Sequence, residues 1–474
     1  MRSLLLVCFA WLLFHSITQA EEPAVPPPIE LVLQGRAIET PILKYRLFPI
    51  ESELHDGNAA PILLRLTWDN TRWMTEVAPK LSEWETRPLD APEWKEFETL
   101  RVFPDQFYQE IKRAAHRREA HWEYPIHETQ SPYQILLPDV QELRVFLKHG
   151  LAAHIRYHLT RGELDQAREG ILVGLANARH LAETPFYVNQ LSAIAYDDSM
   201  LNQAALLISQ PDSPNLYWAL STLPEMLTDV EHAARLEGHL FEMTFPAARD
   251  LDRPRPAEEW KKMARQLVES LVEMGELEVP KVGGDLALEL AIRSTVKKKA
   301  RPAVTELLGI PAEKVAAMSD EEAGIRWYTH LRMSLDQHAA AIYSLPPREA
   351  WPEFRRLQVE AQSFSDATGN KHWTYITPRS VYLASGGVKR QIASLRILEA
   401  VRHYMATHAE KFPTTLNEIE GLSIPLDPLT DLPFEWQTEG QTATLKAPAL
   451  PADFTEGTTG PARALEYRLR VRVR

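Results

Sequence analysis

The feature that most constrains the fold is helical periodicity in the middle of the chain. Apolar residues recur every three or four positions through Val140–Ile155 and again through Leu164–Ala178, the spacing that gives a helix one apolar face. The turn Thr160-Arg161-Gly162 separates the two runs. Two helices joined by so short a connection lie antiparallel, so the pattern predicts a helical hairpin.

The same periodicity extends over much of the chain and ends in a different pattern. Helices are predicted for 186–208, 216–245, 257–274, 285–298, 325–343 and 390–405. The segments Phe434–Thr438 and Thr442–Lys446 flank Gly440 as a strand hairpin would, and Tyr467–Arg474 alternates apolar and basic residues like a half-buried strand. We therefore predict a mainly α fold. A helical-repeat-like body of antiparallel hairpins precedes a small C-terminal α+β module, a helix with a short antiparallel sheet.

Composition shifts suggest where the domains begin and end. The predicted order is a signal peptide (1–20), a Pro-rich linker (21–40), a Trp- and Pro-rich region (41–135), a helical body (136–364), a linker (365–387) and the C-terminal module (388–474). Ser385-Gly386-Gly387 marks the predicted boundary before the last module, and Leu43–Pro49 is predicted to be extended.

The first twenty residues have the pattern of a secretory signal. Arg2 precedes an uncharged apolar run from Leu4 to Phe14, and Thr18-Gln19-Ala20 supplies small residues before an expected cleavage between Ala20 and Glu21. The run is too short for a comfortable membrane span. We expect an exported protein, periplasmic or secreted, without a stable transmembrane segment after cleavage.

Charge and cysteine content restrict the chemistry of that mature chain. The only cysteine is Cys8, so cleavage would leave no disulfide, thiolate metal ligand or thiol nucleophile. The 474-residue chain carries a net charge of −13, which argues against nucleic acid as its main partner. An exported, cysteine-free protein fits a bacterial cell envelope.

Two groups of histidines are candidates for metal or catalytic sites. His154 and His158 are four residues apart on a predicted helix, a spacing that can bring two imidazoles to one metal, but both lie on its apolar face. His116, His121 and His127 alternate with Glu119, Glu123 and Glu128 around Trp122. We favour packed histidines for the first group and a polar surface segment for the second.

Two further groups lie near the C-terminus. Asp427, Thr430 and Asp431 stand among prolines, where their oxygens either shape a turn or hold calcium. Arg468, Arg470, Arg472 and Arg474 form a basic stripe, which suits a solvated sheet face, a charge-protected edge or an anionic partner. No residue is assigned a catalytic, cofactor-binding or metal-ligating role, because no nucleophile elbow, phosphate-binding loop or dinucleotide fingerprint is found in the sequence.

Three stretches resemble known families. Gly162-Glu-Leu164-Asp-Gln-Ala167, with Ala178 further on, is similar to one tetratricopeptide repeat. Phe412-Pro-Thr, Pro425-Leu-Asp-Pro and Pro433-Phe resemble the globular head of type II secretion pseudopilins, although Leu429-Thr430 replaces the usual Trp-Gly and no assembly helix precedes this segment. More broadly, Leu43–Pro49, Gly57–Pro61, Pro214–Leu220 and the Arg390-to-Arg402 segment resemble a group of exported bacterial proteins of similar length without an assigned activity. That resemblance implies export and architecture and supplies no catalytic residues.

The leading hypothesis is an exported, non-enzymatic helical scaffold or binding protein whose partner is a protein or an envelope component. Two alternatives remain open. One is an extracytoplasmic hydrolase, metal-assisted or not, that uses one of the histidine groups. The other is a polyanion or membrane-surface binder acting through the C-terminal arginines.

Overall fold

The computed structural model describes residues 27–126, 128, 142–224, 227, 228, 230–273, 300–368, 378–451, 454, 462 and 464–472. Helices dominate it and a small four-stranded sheet accompanies them, which confirms the predicted fold class. No helix within these ranges is both long and apolar enough to cross a membrane. The expected signal peptide and the helix predicted at 285–298 lie outside the described residues.

The chain divides into two compact units. The larger contains the described residues within 21–123, 137–230 and 381–474, and the smaller contains those within 124–136 and 231–380. In the first half of the chain the helices are α1 (Ala60–Asp69), α2 (Thr71–Glu76), α3 (Ala78–Thr86), α4 (Asp105–Ala115), α5 (Leu151–Thr160), α6 (Leu164–Ala182) and α7 (Tyr187–Ile208). They are followed by α8 (Tyr217–Ser221), α9 (Val230–Glu237), α10 (Leu240–Thr244), α11 (Ala257–Glu273), α12 (Arg301–Leu308), α13 (Ala312–Ala317), α14 (Asp320–Ile342), α15 (Pro347–Thr368) and α16 (Pro378–Thr407).

The predicted helical hairpin is formed by α5 and α6 and lies in the larger unit. Gly162 connects them with φ +70°, a left-handed conformation that glycine adopts without steric cost. Helix α6 packs closely on both neighbours: a Cβ on Gly170 would lie 2.6 Å from Ile155 Cγ1, and one on Gly174 would lie 2.2 Å from Met200 Sδ of α7. Because α6 is buried along most of its length, it forms the centre of this unit.

The sheet joins the two ends of the described chain. Its strand order is β1 (Ile29–Leu33), β6 (Glu466–Val471), β5 (Thr442–Lys446) and β4 (Glu435–Glu439). β1 pairs in parallel with β6, and the other pairs are antiparallel. Leu31, Leu33, Tyr467 and Leu469 point to the buried face, so the dry face predicted for the last strand is confirmed. Two short strands, β2 (His55–Asn58) and β3 (Arg117–Glu119), pair separately.

Two predictions made from local pattern are wrong. Residues 29–33 of the predicted linker at 21–40 form β1, because Leu31 and Leu33 complete the core beside β6. Leu43–Pro49 forms bends and turns, one of them closed by a hydrogen bond from Lys44 N to Pro41 O. The sheet of the module predicted at 388–474 also includes β1, which lies outside that range.

The predicted linker at 365–387 is also wrong at its end, where residues 378–387 belong to α16. Gly386 and Gly387 act as packing positions rather than as a boundary. A Cβ on Gly386 would lie 2.2 Å from Leu429 Cδ2, and one on Gly387 would lie 2.9 Å from Ala462 N. The two glycines therefore allow the C-terminal loops to approach α16 closely.

The smaller unit contains the long hairpin of α14 and α15. Ser319 caps α14, accepting a hydrogen bond from Glu322 N at 3.0 Å, as the capping pattern predicts. Gly309 ends α12 in a left-handed conformation. Val304, Val315 and Trp327 contribute to a buried cluster that joins α12, α13 and α14.

Candidate functional site

The His154 and His158 pair belongs to the packed interior of the larger unit. The ring centroids of His154 and Tyr108 are 4.3 Å apart in a stacked arrangement, and those of His154 and His158 are 4.5 Å apart. Burial, followed by the charge of His158, lowers the pKa of His154 to about 3, so its imidazole is neutral at physiological pH. His158 Nδ1 lies 2.6 Å from Glu163 Oε2. Packing and hydrogen bonding thus account for both side chains.

The second histidine group is divided among separate local contacts. His116 Nδ1 donates to Lys112 O at 2.8 Å, and the exposed His121 Nε2 lies 3.1 Å from Glu119 Oε2. Trp122 Nε1 donates to His180 O at 2.8 Å. His127 lies outside the described residues, while Glu123 belongs to the larger unit and Glu128 to the smaller. Across the described part of the chain, no three His, Cys, Asp or Glu residues are placed to hold a metal ion.

The loop that contains Asp427 is fixed by an arginine. Arg390 on α16 and Asp427 are both fully buried and form a two-pronged ion pair, with N–O distances of 2.7 Å for Nε to Oδ1 and for Nη2 to Oδ2. Thr430 donates its hydroxyl to Asp427 Oδ2 at 2.6 Å, and Asp431 N donates to Asp427 O at 2.8 Å. Asp427, a candidate calcium ligand in the sequence, therefore neutralises a buried guanidinium and shapes the turn.

A second buried arginine lies three turns further along α16. Arg402 forms N–O contacts of 3.0 and 2.9 Å with Glu399, and it donates to Ser213 O at 2.7 Å. Burial raises the pKa of Glu399, while Arg402 opposes this rise. Arg36 N also donates to Arg402 O at 2.8 Å. The two arginines thus connect α16 to the β1 extension, to the segment before α8 and to the C-terminal loops.

Of the C-terminal arginines, Arg468 and Arg470 lie on β6, an interior strand rather than an edge, and Arg472 follows it. Arg468 lies 3.1 Å from Glu466 and 4.0 Å from Glu30, which belongs to β1. Arg472 donates to Ser209 O at 2.6 Å. Arg470 is exposed, and Arg474 lies outside the described residues. Acidic neighbours thus partly balance Arg468, and Arg472 is held by a backbone carbonyl.

Sequence reasoning missed a polar group that five side chains form in the larger unit. We call it the acid–base cluster: Glu85, Lys148, His149, Asp198 and Ser199. Glu85 receives two hydrogen bonds: Ser199 Oγ donates to Oε1 at 2.9 Å, and His149 Nδ1 lies 2.5 Å from Oε2. The Glu85 and His149 side chains keep 14% and 16% of their surface exposed, so solvent reaches the cluster.

The two carboxyl groups of the acid–base cluster experience opposite environments. Burial alone would raise the pKa of Glu85, but the His149 hydrogen bond, the Lys148 charge and the Ser199 hydrogen bond outweigh it and hold the pKa below its usual value. Burial raises the pKa of Asp198 to about 6, and the charge of Glu85 adds to this rise against Lys148. At neutral pH Glu85 is thus ionised, whereas Asp198 is ionised for the most part and takes up its proton near pH 6.

A chain of amides extends from the cluster into the interior. Asn202 Nδ2 donates to Asp198 Oδ2 at 3.3 Å, and the buried Gln391 on α16 donates to Asn202 Oδ1 at 2.8 Å. Asp198 Oδ1 and Gln391 Oε1 have no hydrogen-bond partner among the described residues. Buried acceptors normally receive a hydrogen bond, so these two atoms are exceptions within the described residues.

Local backbone structure helps to position this cluster. Lys148 and His149 lie on the π-helical segment Val145–Gly150, which runs directly into α5. Such segments are rare and frequently occur at functional sites. At Gly150 a Cβ would lie 2.4 Å from Phe103 Cε2, so the glycine lets this turn pack tightly. The three contributing segments are thus α3, the π-helical turn and α7.

One sequence signal could have revealed part of this site. Helix α7 carries only two charged residues, the adjacent Asp197 and Asp198, in an otherwise neutral sequence. Both oxygens of the fully buried Asp197 lack hydrogen-bond partners among the described residues, and burial raises its pKa well above the usual value. Glu85 and His149 have other charged residues near them in sequence, Glu83 and Lys148, and give no comparable signal.

Comparison with known proteins adds no assignment. No protein-family model matches the chain, and neither a characterised protein nor a solved structure does.

Proposed function

We propose that this chain is an exported helical binding protein of the bacterial cell envelope, and that the acid–base cluster contacts its partner. Export rests on the signal pattern of residues 1–20, with cleavage between Ala20 and Glu21. The partner would be a protein or another envelope component that offers hydrogen-bonding groups.

The observation that carries the binding role is the convergence of charged side chains from three segments at a place that solvent reaches. Glu85 comes from α3, Lys148 and His149 from the π-helical turn, and Asp198 and Ser199 from α7. Ionisable groups of both signs with perturbed acidity mark functional sites more often than ordinary surface. The buried pair of Arg390 and Asp427 supports this role, because it anchors α16, whose Gln391 donates to Asn202 beside Asp198.

Export has a direct test. We expect the mature protein recovered from cells to have the mass of a chain that begins at Glu21, and a reporter fused after residue 40 to become active outside the cytoplasm. A cytoplasmic protein that retains Met1 would overturn this part of the proposal.

The binding role is tested by a photo-crosslinking amino acid introduced in place of Lys148, with the same substitution at the exposed Gln437 on β4 as the matched control. We expect a specific covalent adduct in intact cells from position 148 and none from position 437. Equal labelling at both positions, or no adduct at position 148, would contradict binding at the cluster.

A hydrolase is the second candidate, and the contrast between the two carboxyl groups favours it. Enzymes that use one carboxylic acid and one carboxylate depend on environments that separate their pKa values. Glu85 and Asp198 have such environments. Assay of envelope polymers for cleavage separates this candidate from simple binding.

A further inference from the structure

The turn at residues 41–44 of the larger unit carries two aliphatic side chains at its tip. Lys44 N donates to Pro41 O at 2.9 Å and closes the turn, so Ile42 and Leu43 occupy its two central positions. Such positions usually hold glycine, proline, asparagine, aspartate or serine, whose conformations and hydrogen bonds suit a turn. Here the two side chains are aliphatic, and the residues keep 51% and 50% of their surface exposed. Local turn chemistry therefore does not explain why these residues stand there.

This pair also differs from the other exposed apolar residues. Single exposed aliphatic side chains are ordinary on a protein surface. Among the described residues, the other large apolar side chains with high exposure, such as Val359 at 67%, have no exposed large apolar neighbour directly beside them in the chain. Ile42 and Leu43 are adjacent and lie at the tip of one turn, so together they form a projecting apolar feature.

Basic and aromatic side chains lie directly behind this tip. Lys44 Nζ lies 2.6 Å from Glu39 Oε2 and 4.9 Å from the centre of the Tyr45 ring. Glu39 also accepts hydrogen bonds from Arg36 at 2.8 Å and from the Tyr45 hydroxyl at 3.0 Å. One carboxylate thus serves two cations, and Tyr45 places an amphipathic ring beside the aliphatic tip. Rings of this kind are common at the boundary between lipid and water.

The positive charge continues onto α6. The Arg168 guanidinium lies 5.9 Å from the centre of the Tyr45 ring and donates to Arg46 O at 2.9 Å. The Arg179 guanidinium lies 5.8 Å from the centre of the Phe48 ring. The side chains joined to the turn by these contacts and by their ion pairs are more often basic than acidic: Arg36, Lys44, Arg46, Arg168 and Arg179 against Glu39, Glu53 and Asp165. This local excess of positive charge occurs in a chain whose net charge is −13.

We infer that the turn at residues 41–44 inserts Ile42 and Leu43 into the headgroup layer of an anionic lipid membrane, with the basic side chains behind it facing the lipid phosphates. Shallow insertion of apolar side chains and attraction between basic residues and anionic lipids add to each other in peripheral membrane binding. A projecting tip suits a deformable lipid layer, whereas a protein partner would have to offer a pocket of matching shape. The inference uses neither the acid–base cluster nor the C-terminal arginines.

Sedimentation of the purified mature chain with sucrose-loaded vesicles tests this inference. Vesicles of equal parts phosphatidylglycerol and phosphatidylcholine are compared with vesicles of phosphatidylcholine alone. Lipid is present at millimolar concentration, because even a single acyl chain gives a partition constant of only about 10⁴ M⁻¹. We expect the chain to bind the anionic vesicles, to bind the neutral vesicles at least about 10-fold more weakly, and to dissociate as the salt concentration rises.

Two variants separate the apolar and the ionic contributions. Ile42→Ser with Leu43→Ser should lower the partition constant at least about 10-fold, because the half-exposed aliphatic surface no longer leaves water on binding. Lys44→Gln should weaken binding to anionic vesicles about fivefold, the contribution of one basic residue near such a surface. Val359→Ser, which removes an exposed aliphatic side chain of the smaller unit, is the matched control and should bind as the wild type does.

Loss of sedimentation in the double serine variant, with binding retained in Val359→Ser, supports the inference. Failure of the wild-type chain to sediment with anionic vesicles overturns it, and so does equal binding by the double serine variant. A photo-crosslinking amino acid at position 43 that captures a protein in intact cells, while vesicles do not bind the purified chain, would replace the lipid by a protein partner. Crosslinking at position 148 is a separate measurement, so failure here is distinguishable from failure of the proposed function.

Discussion

The buried pair of Arg390 and Asp427 gives the sharpest prediction about stability. Truncating Asp427 to alanine removes the carboxylate that pairs with a fully buried guanidinium, which also donates to Ala462 O at 2.9 Å and to Pro448 O at 3.2 Å. Two charge-assisted hydrogen bonds are lost, each worth about 1.5–3 kcal/mol. Removing one partner of a buried ion pair typically costs about 3–5 kcal/mol. Both considerations therefore predict that the free energy of unfolding falls by about 4 kcal/mol.

Urea unfolding of the larger unit at pH 7, monitored at its tryptophans, measures this loss. With a slope of about 3 kcal/mol per molar urea, the midpoint should fall by roughly 1.3 M. The matched control is Arg468→Met on the exposed face of β6, where the N–O distance to Glu30 is 4.0 Å. Exposed pairs contribute about 0–1 kcal/mol, so the midpoint of the control should change little.

The double variant Arg390→Met with Asp427→Leu tests whether the unpaired buried charge causes this loss of stability. Apolar replacements remove the unpaired charge, and the double variant should therefore be more stable than Asp427→Ala alone. The reasoning is refuted if Asp427→Ala unfolds within the range of the surface control, or if the double variant loses as much as the sum of the two single variants.

Further predictions concern packing and buried charge. Gly387→Ala should destabilise the larger unit by about 1–3 kcal/mol in the same urea assay, although alanine favours helices, because its Cβ would lie 2.9 Å from Ala462 N; an unchanged or higher midpoint would contradict the close approach. Asp197→Asn should raise the melting temperature more at pH 8 than at pH 5. The raised pKa means that the folded state holds a proton which the unfolded chain releases, so wild-type stability falls as the pH rises above about 4; a lower melting temperature at pH 8 would refute it. In Lys148→Met, carboxyl carbon NMR should show Asp198 titrating above the value of about 6 expected for the wild type, and a lower value would show that Lys148 does not act on this group.

Local sequence pattern predicted the elements whose determinants lie close together in the chain. The α5–α6 hairpin, the Ser319 cap of α14 and the β4–β5 hairpin each depend on neighbouring residues, and the structure contains all three. At the predicted capping box, Thr415 N donates to Glu418 Oε1 at 3.1 Å.

Features that depend on residues far apart in the chain could not be predicted from local sequence pattern. β1 is a strand because β6 lies beside it, more than four hundred residues later in the chain. Gly386 and Gly387 resembled a flexible boundary, since nothing near them in sequence shows that Leu429 and Ala462 pack against α16.

The acid–base cluster was missed for the same reason. Its carboxyl and imidazole groups come from α3, from the π-helical turn and from α7, each with at most a weak signal of its own. The candidate metal ligands identified in the sequence, such as His154 and Asp427, instead have packing and ion-pairing partners that are distant in the chain.

The central claim is that Asp198 is retained for its chemistry rather than for stability, and the melting temperature of Asp198→Asn at pH 7 tests it most directly. The pKa of about 6 in the folded state lies above the unfolded value of 3.8, so the ionised carboxyl costs about 3 kcal/mol above pH 6, and this cost disappears as the pH falls toward 4. The account predicts that Asp198→Asn melts about 5 °C higher than the wild type at pH 7, with a smaller gain at pH 4.5. A lower melting temperature at pH 7 would show that the carboxylate holds the fold together, and would contradict the claim.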